Sequence, residues 1–337
     1  MIEFQNVVKV FPGGVRAVDA LDLTVEKGEI SVLIGPSGCG KTTSMRLVNR
    51  LIPLTSGRIT VEGRDILEFA PEELRRKIGY AIQQIGLFPH MTVAQNVAVV
   101  PRLLGWEERR VRERVDALLE LVGLHPDVHR EVYPRQLSGG QQQRVGVARA
   151  LGADPPIMLM DEPFGAVDPI TRSVLQDEFL QIQSTIAKTV LFVTHDIDEA
   201  IKMGDRVAVM RAGKLVQYAT PDELLAQPED DFVRAFVGGD RHLKRLGLVQ
   251  VRDVMAEPDE HTPDLDGETV PDHTSVRDAL SVLVGRGFDA TPVVDAEGRV
   301  CGVITLRGLR AAVRRAAEER AAEERAAEER AADEVEA

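Results

Sequence analysis

The sequence predicts an α/β fold for its longer N-terminal part, with a helical portion in the middle. A small α+β unit and a helical tail follow. Three observations carry this reading. Continuous apolar runs recur at 30–35 (ISVLIG), 156–163 (PIMLMDEP) and 189–196 (TVLFVTHD), each ending in polar residues. Buried parallel strands read this way, with function at their C-terminal ends. Between them, RRVRERVDALLELVGL (109–124) sets Val111, Val115, Leu118, Leu119 and Val122 at helical spacing. Beyond residue 249 the pattern changes to one amphipathic helix and two β-branched runs.

The chain has 337 residues, enough for two domains, and its apolar share of 44% and charged share of 28% are those of a soluble globular protein. No window approaches eighteen consecutive apolar residues, so no transmembrane helix is expected. The first residues, MIEFQNVVKV, lack a basic stretch followed by an apolar one and do not read as a signal peptide. Cys39 lies in a glycine-rich loop and Cys301 in a strand-like run; their spacing fits no metal site, and a disulfide is not expected. A net charge of -13 argues against nucleic acid as a partner, since that grip needs a basic surface.

In the second unit, SVRDALSVLVGRG places Val276, Ala279, Leu280, Leu283 and Val284 on one helical face. The run ATPVVDAEGRVCGVITL reads as two strands around the turn Asp295-Ala296-Glu297-Gly298. The acidic, proline-rich stretch before them, 256–273, reads as a loop. The tail RRAAEERAAEERAAEERAADEVEA repeats every five residues. Five residues turn a helix by about 500°, so no apolar stripe persists and a solvated helix is expected.

Two stretches carry chemistry by themselves. GPSGCGKT (35–42) fits G-x-x-x-x-G-K-[ST], the P-loop, directly after the strand-like ISVLI. Glycines let backbone N–H groups wrap phosphates, and a following helix adds its dipole. Gly35, Pro36, Ser37, Gly38, Cys39, Gly40 and Thr43 form this nucleotide cradle. Lys41 reaches the β- and γ-phosphates, and the Thr42 hydroxyl sits on Mg²⁺. In IMLMDEP, Asp161 ends an apolar strand, where a carboxylate can hold the Mg²⁺ shell. Glu162 follows it and can accept a proton from, or orient, an attacking water.

With these residues in order, residues 1 to about 235 resemble the ATPase subunits of ABC transporters. The resemblance implies a P-loop NTPase, ABC-type nucleotide-binding domain, with ATP and Mg²⁺ as its ligands. Phe11 occupies the place of the aromatic that stacks on adenine. Gln83, in YAIQQIGLFPH, matches the glutamine that joins the Mg²⁺ and water to the transmembrane partner. LSGGQ (137–141) is the family signature, FGAVD (164–168) matches the D-loop, whose Asp168 is counted with the nucleotide-binding residues, and His195 matches the switch histidine on the γ-phosphate. In such ATPases two copies face each other head to tail. Ser138, Gly139, Gly140 and Gln141 of one copy then close over the nucleotide held by the other, giving a dimer with two composite sites.

The family divides into importer subunits, soluble ATPases of repair or translation, and relics without turnover. About a hundred residues without heptads separate cradle and signature, the chain carries one cassette, and Glu162 and His195 are both present, which favours an importer. FPGGVRAVDALDLTVEKGEISVLIGPSGCGKTT, QQIGLFPHMTV and ADPPIMLMDEPFGAVDPITR resemble subunits of quaternary-amine importers, which take up glycine betaine, proline betaine, choline or carnitine. An importer of another small solute, such as an amino acid, is the alternative. The resemblance implies a separate transmembrane permease, an extracellular binding protein, and a peripheral position on the cytoplasmic face of the membrane. Residues 249–312 resemble a single CBS repeat, with Gly308 where ligand-binding repeats place an aspartate. A sensor and a dimerising spacer both remain open for it. The expected domains are 1–237 (ATPase), 238–313 (CBS-like) and 314–337 (helical tail).

Overall fold

The computed structural model describes residues 1–81, 86–165, 167–258 and 269–309. Gln83, Ala166, most of the expected acidic loop and the tail 314–337 lie outside the described residues. Contacts divide the chain into two units, Met1–Phe236 and a second from Val237 onward.

The first unit contains two sheets. An antiparallel sheet, order β2-β1-β4-β5, joins β1 (Ile2–Val10), β2 (Arg16–Val25), β4 (Ser56–Val61) and β5 (Arg64–Asp65). In β1 the buried Ile2 and Phe4 alternate with Glu3 and Gln5. The register then shifts, with Asn6 at φ 45°, and Val7 and Lys9 become the buried pair. The second sheet, order β10-β9-β3-β8-β7-β6, comprises β3 (Ile30–Ile34), β6 (Ile78–Ala81), β7 (Ile157–Asp161), β8 (Thr189–Val193), β9 (Arg206–Arg211) and β10 (Lys214–Ala219). All its pairs are parallel except β9–β10. Every residue of β3, β7 and β8 is buried, which is why these strands read as unbroken apolar runs. Phe4, Leu21 and Ile59 from the first sheet share one core with Leu33, Leu159 and Leu191 from the second.

The helical portion packs helices Val93–Leu103, Glu108–Leu121 and Gly139–Ala150 against one another. Val111, Val115, Leu118, Leu119 and Val122 are all buried, as their spacing predicts. Thr92 caps the first of these helices through a reciprocal capping box with Gln95.

The second unit pairs β11 (Val270–Pro271) parallel to β12 (Ala290–Val294), which is antiparallel to β13 (Val300–Thr305). The Asp295 carboxylate forms the turn between the last two by accepting from the N–H groups of Glu297 and Arg299. Val276, Ala279 and Leu283 of helix Val276–Arg286 are buried in the core of this unit, but Val284 is 66% exposed. At about 100° per residue, Val282 and Val284 flank the buried face on opposite edges, and of the two only Val282 packs against the core.

This difference is measurable by thermal unfolding. Leu118→Ala should cost about 2–5 kcal/mol, the loss for a fully buried leucine. Val284→Ala should change stability by no more than about 0.5 kcal/mol.

Candidate functional site

The loop between β3 and helix Lys41–Val48 forms the cradle. Gly35 has φ +150°, and a Cβ there would lie 2.2 Å from the Met210 carbonyl oxygen. Gly40 has φ +111°, and its Cβ would lie 2.4 Å from the Ala17 carbonyl oxygen. No other residue fits at either place. The Gly213 N–H donates to the Cys39 carbonyl at 3.0 Å and ties the loop to the β9–β10 turn. Lys41 is 7% exposed. Its ammonium donates to the carbonyls of Gly35 (2.6 Å) and Pro36 (3.2 Å), with the Cys39 sulfur at 3.7 Å. The loop thus satisfies the lysine charge with its own carbonyls.

The cradle opens onto a cleft of about 420 Å³, lined by Ser37 to Thr43 together with Glu162 and His195. Strand register explains the convergence. Val193 pairs with both Leu33 and Asp161, so β3, β7 and β8 end at one edge of the sheet. Asp161 is 9% exposed and accepts the Thr42 hydroxyl hydrogen bond at 3.1 Å. Burial pushes its carboxyl above the usual carboxylate range. The neighbouring Glu162 charge adds to this, while Thr42, Arg46 and Lys41 oppose it. Glu162 adopts φ 45°, a left-handed conformation that strains a residue bearing a Cβ. Its N–H donates to the Val193 carbonyl at 2.9 Å, which secures the bend. Its carboxylate lies 3.2 Å from Nδ1 of His195. This pairing of Glu162 with His195 was not legible in the sequence, because the two residues are joined only through the pairing of β7 with β8.

Other expected site residues lie elsewhere. Ser138 caps helix Gly139–Ala150: its hydroxyl oxygen accepts from the Gln141 N–H at 3.3 Å, and the Gln141 side chain accepts from the Ser138 N–H at 3.0 Å. The spacing S-x-x-Q signals this capping box, which the reading of LSGGQ as the family signature passed over. The cap uses the serine oxygen as an acceptor and leaves its O–H free to donate. Gly139 and Gly140 begin the helix, where N–H groups have no intrahelical acceptor. None of residues 138–141 lines the cleft. Asp168 caps helix Pro169–Ile186 and accepts from the Thr171 N–H, which holds its carboxyl below the usual range. Phe11 stands half-buried just past the end of β1. Gln83 falls outside the described residues.

The two-sheet α/β unit with a P-loop facing two strand-end carboxylates defines an ATP-binding cassette. Residues 18–165 match the ABC transporter domain and residues 247–315 the CBS domain. The chain is 49% identical, over 90% of its length and 78% of the relative's, to the glycine betaine/carnitine/choline transport ATP-binding protein OpuCA of Bacillus subtilis (strain 168). It is 47% identical, over 92% of its length and 99% of the relative's, to the glycine betaine uptake system ATP-binding protein YehX of Escherichia coli (strain K12). Among solved structures, the dimeric post-hydrolysis state of the ATP-binding cassette MJ0796 bound to ADP and Pi superposes with a TM-score of 0.59. It is 32% identical and covers 66% of this chain and 99% of that one. The chain belongs to the ABC transporter ATP-binding proteins, and it binds ATP. Among the described residues no helix is long and apolar enough to cross a membrane.

The buried charge at Asp161 predicts a trade of stability against activity. Asp161→Asn keeps an acceptor for Thr42 and removes the desolvated charge. In the nucleotide-free protein it should raise the unfolding midpoint by about 2–4 °C, equivalent to about 1 kcal/mol, while ATP hydrolysis is lost. A lowered midpoint would show that Lys41 and Arg46 already offset the charge.

Proposed function

We propose that this chain is the ATP-hydrolysing subunit of an importer for quaternary-amine osmoprotectants. It works as a head-to-tail pair on a separate permease fed by an extracellular binding protein, at the cytoplasmic face of the membrane. One observation carries the mechanism. The cradle, Glu162 and His195 line one cleft, whereas the signature serine caps a helix outside it. A second copy that presents Ser138, Gly139 and Gly140 would complete the site with neutral donors where charge gathers. The substrate class rests on the relatives, whose names specify glycine betaine, carnitine and choline.

In this reading Lys41 exchanges its bonds to the Gly35 and Pro36 carbonyls for bonds to the β- and γ-phosphates. Thr42 and Asp161 fit a Mg²⁺ ion: they offer a hydroxyl and a buried carboxylate, whose charge a cation would stabilise, within 3.1 Å of each other. Among the described residues no group of three His, Cys, Asp or Glu side chains could hold a metal ion; the family resemblance would add Gln83 and phosphate oxygens to these two ligands. When bound, the ion offsets phosphate charge. Glu162 accepts the proton of the attacking water, and its bent backbone aims the carboxylate into the cleft. His195, exposed beside it, contacts the γ-phosphate. Phe11 stacks on adenine, and Asp168 of the D-loop belongs to the nucleotide-binding set.

The loop Gly86–Met91 is the proposed permease face. Phe88 is 39% exposed, with His90 edge-on to its ring. The fully buried Asn96 holds the loop, accepting from the Phe88 N–H at 2.8 Å and donating to the carbonyls of Phe88 and Met91 at 3.2 Å. An exposed aromatic on a pinned backbone fits a rigid docking surface.

Glu162→Gln keeps the shape and removes the base. With ATP and Mg²⁺ it should elute as a stable dimer on gel filtration and hydrolyse ATP at least about a hundredfold more slowly. A persistent monomer with unaltered turnover contradicts the role of Glu162. Phe88→Asp should leave expression and the ATPase of the purified chain intact but abolish solute uptake in reconstituted transporter; unimpaired uptake contradicts the docking face.

A further inference from the structure

The register shift in β1 brings a lysine to the inner face of the antiparallel sheet. Lys9 is 7% exposed and pairs across the sheet with Val18. Its ammonium donates to the Pro53 carbonyl at 2.7 Å and lies 5.0 Å from the centre of the Phe11 ring. Among the described residues no carboxylate forms a salt bridge with it. Burying an ammonium costs free energy, and an apolar side chain would fill the same place. The charge therefore calls for a reason beyond packing.

Phe11 stands where that reason could act. The Phe11 N–H donates to the Val15 carbonyl at 2.9 Å, and the Gly14 N–H donates to the Phe11 carbonyl at 3.1 Å, which closes the turn into β2. Two residues further along, the Ala17 carbonyl lies against Gly40 of the cradle. The turn bearing Phe11 therefore stands beside the phosphate loop, and Gly13 and Gly14 leave it open: a Cβ on either would meet nothing within 4 Å.

We infer that Lys9 is a positioning residue for adenine recognition, holding the Phe11 ring by a cation–π contact from one side while the other receives the base. The inference rests on the reading of Phe11 as the adenine platform. The cation fixes the ring plane before nucleotide arrives, so less side-chain freedom is lost on binding. It also draws electron density from the ring, which favours stacking against an electron-rich purine.

The test compares ATP with inorganic tripolyphosphate, each with Mg²⁺, by calorimetric titration of the full chain. Lys9→Gln keeps a donor for Pro53 and removes the charge. It should weaken ATP binding about three- to tenfold and change tripolyphosphate binding less than about twofold. Lys9→Arg, which keeps the cation, should bind ATP within about twofold of the parent. If Lys9→Gln does not fold, Lys9→Met removes the charge with a stem of similar length. Equal weakening toward both ligands, or unchanged ATP affinity, overturns the inference. Phe11→Ala separates the two readings. If the preference for ATP over tripolyphosphate survives in that variant, the platform reading falls, and the role of Lys9 with it. If the preference is lost there but not in Lys9→Gln, only the role of Lys9 falls.

Discussion

The common edge at which three adjacent parallel strands end is the constraint on which the rest depends. Leu33 and Asp161 both pair with Val193, so whatever follows β3, β7 and β8 meets in one place. After β3 comes the phosphate loop, after β7 comes Glu162, and after β8 comes His195. Residues more than 150 positions apart in sequence become one cleft without any dedicated tether. The strands hold this register because every residue in them is buried, and a slip would move a polar strand end into the core.

That edge gathers features that cost free energy in the folded chain. Asp161 is desolvated beside another acid, and Glu162 has a strained backbone. The bonds of Lys41 to the Gly35 and Pro36 carbonyls work the other way and satisfy its charge in the empty site. Binding to the folded state alone stabilises the chain by mass action. The surrounding sheet absorbs the strain: the Glu162 N–H is anchored on β8, and the Cys39 carbonyl on the β9–β10 turn.

The helical portion links the signature helix with the loop that follows β6. Arg149, in the last turn of helix Gly139–Ala150, donates to the Gly86 carbonyl, and Asn96 grips Phe88 and Met91 from the neighbouring helix. Burial lowers the Arg149 pKa, yet its guanidinium still bonds the loop carbonyl. A displacement at Phe88 thus has a short bonded path to the helix that Ser138 caps. The cap matters for the same reason, since it fixes the direction in which the serine hydroxyl and the first helical N–H groups point.

The sequence by itself determined the buried strands, the cradle, both strand-end carboxylates and the buried face of helix Glu108–Leu121. Each of these is a local pattern: an unbroken apolar run, a glycine spacing, or a 3.6-residue period. The antiparallel sheet was not legible as such. Its first strand keeps period two only as far as Gln5, and the shift at Asn6 then turns Lys9 inward, where a polarity pattern places it outside. The Glu162–His195 contact, the bonds of Lys41 to its own loop and the cation over Phe11 are also decisions of tertiary structure. They depend on which strand lies beside which and where the register slips, and a one-dimensional pattern of polarity does not encode the hydrogen-bonded neighbour of a strand.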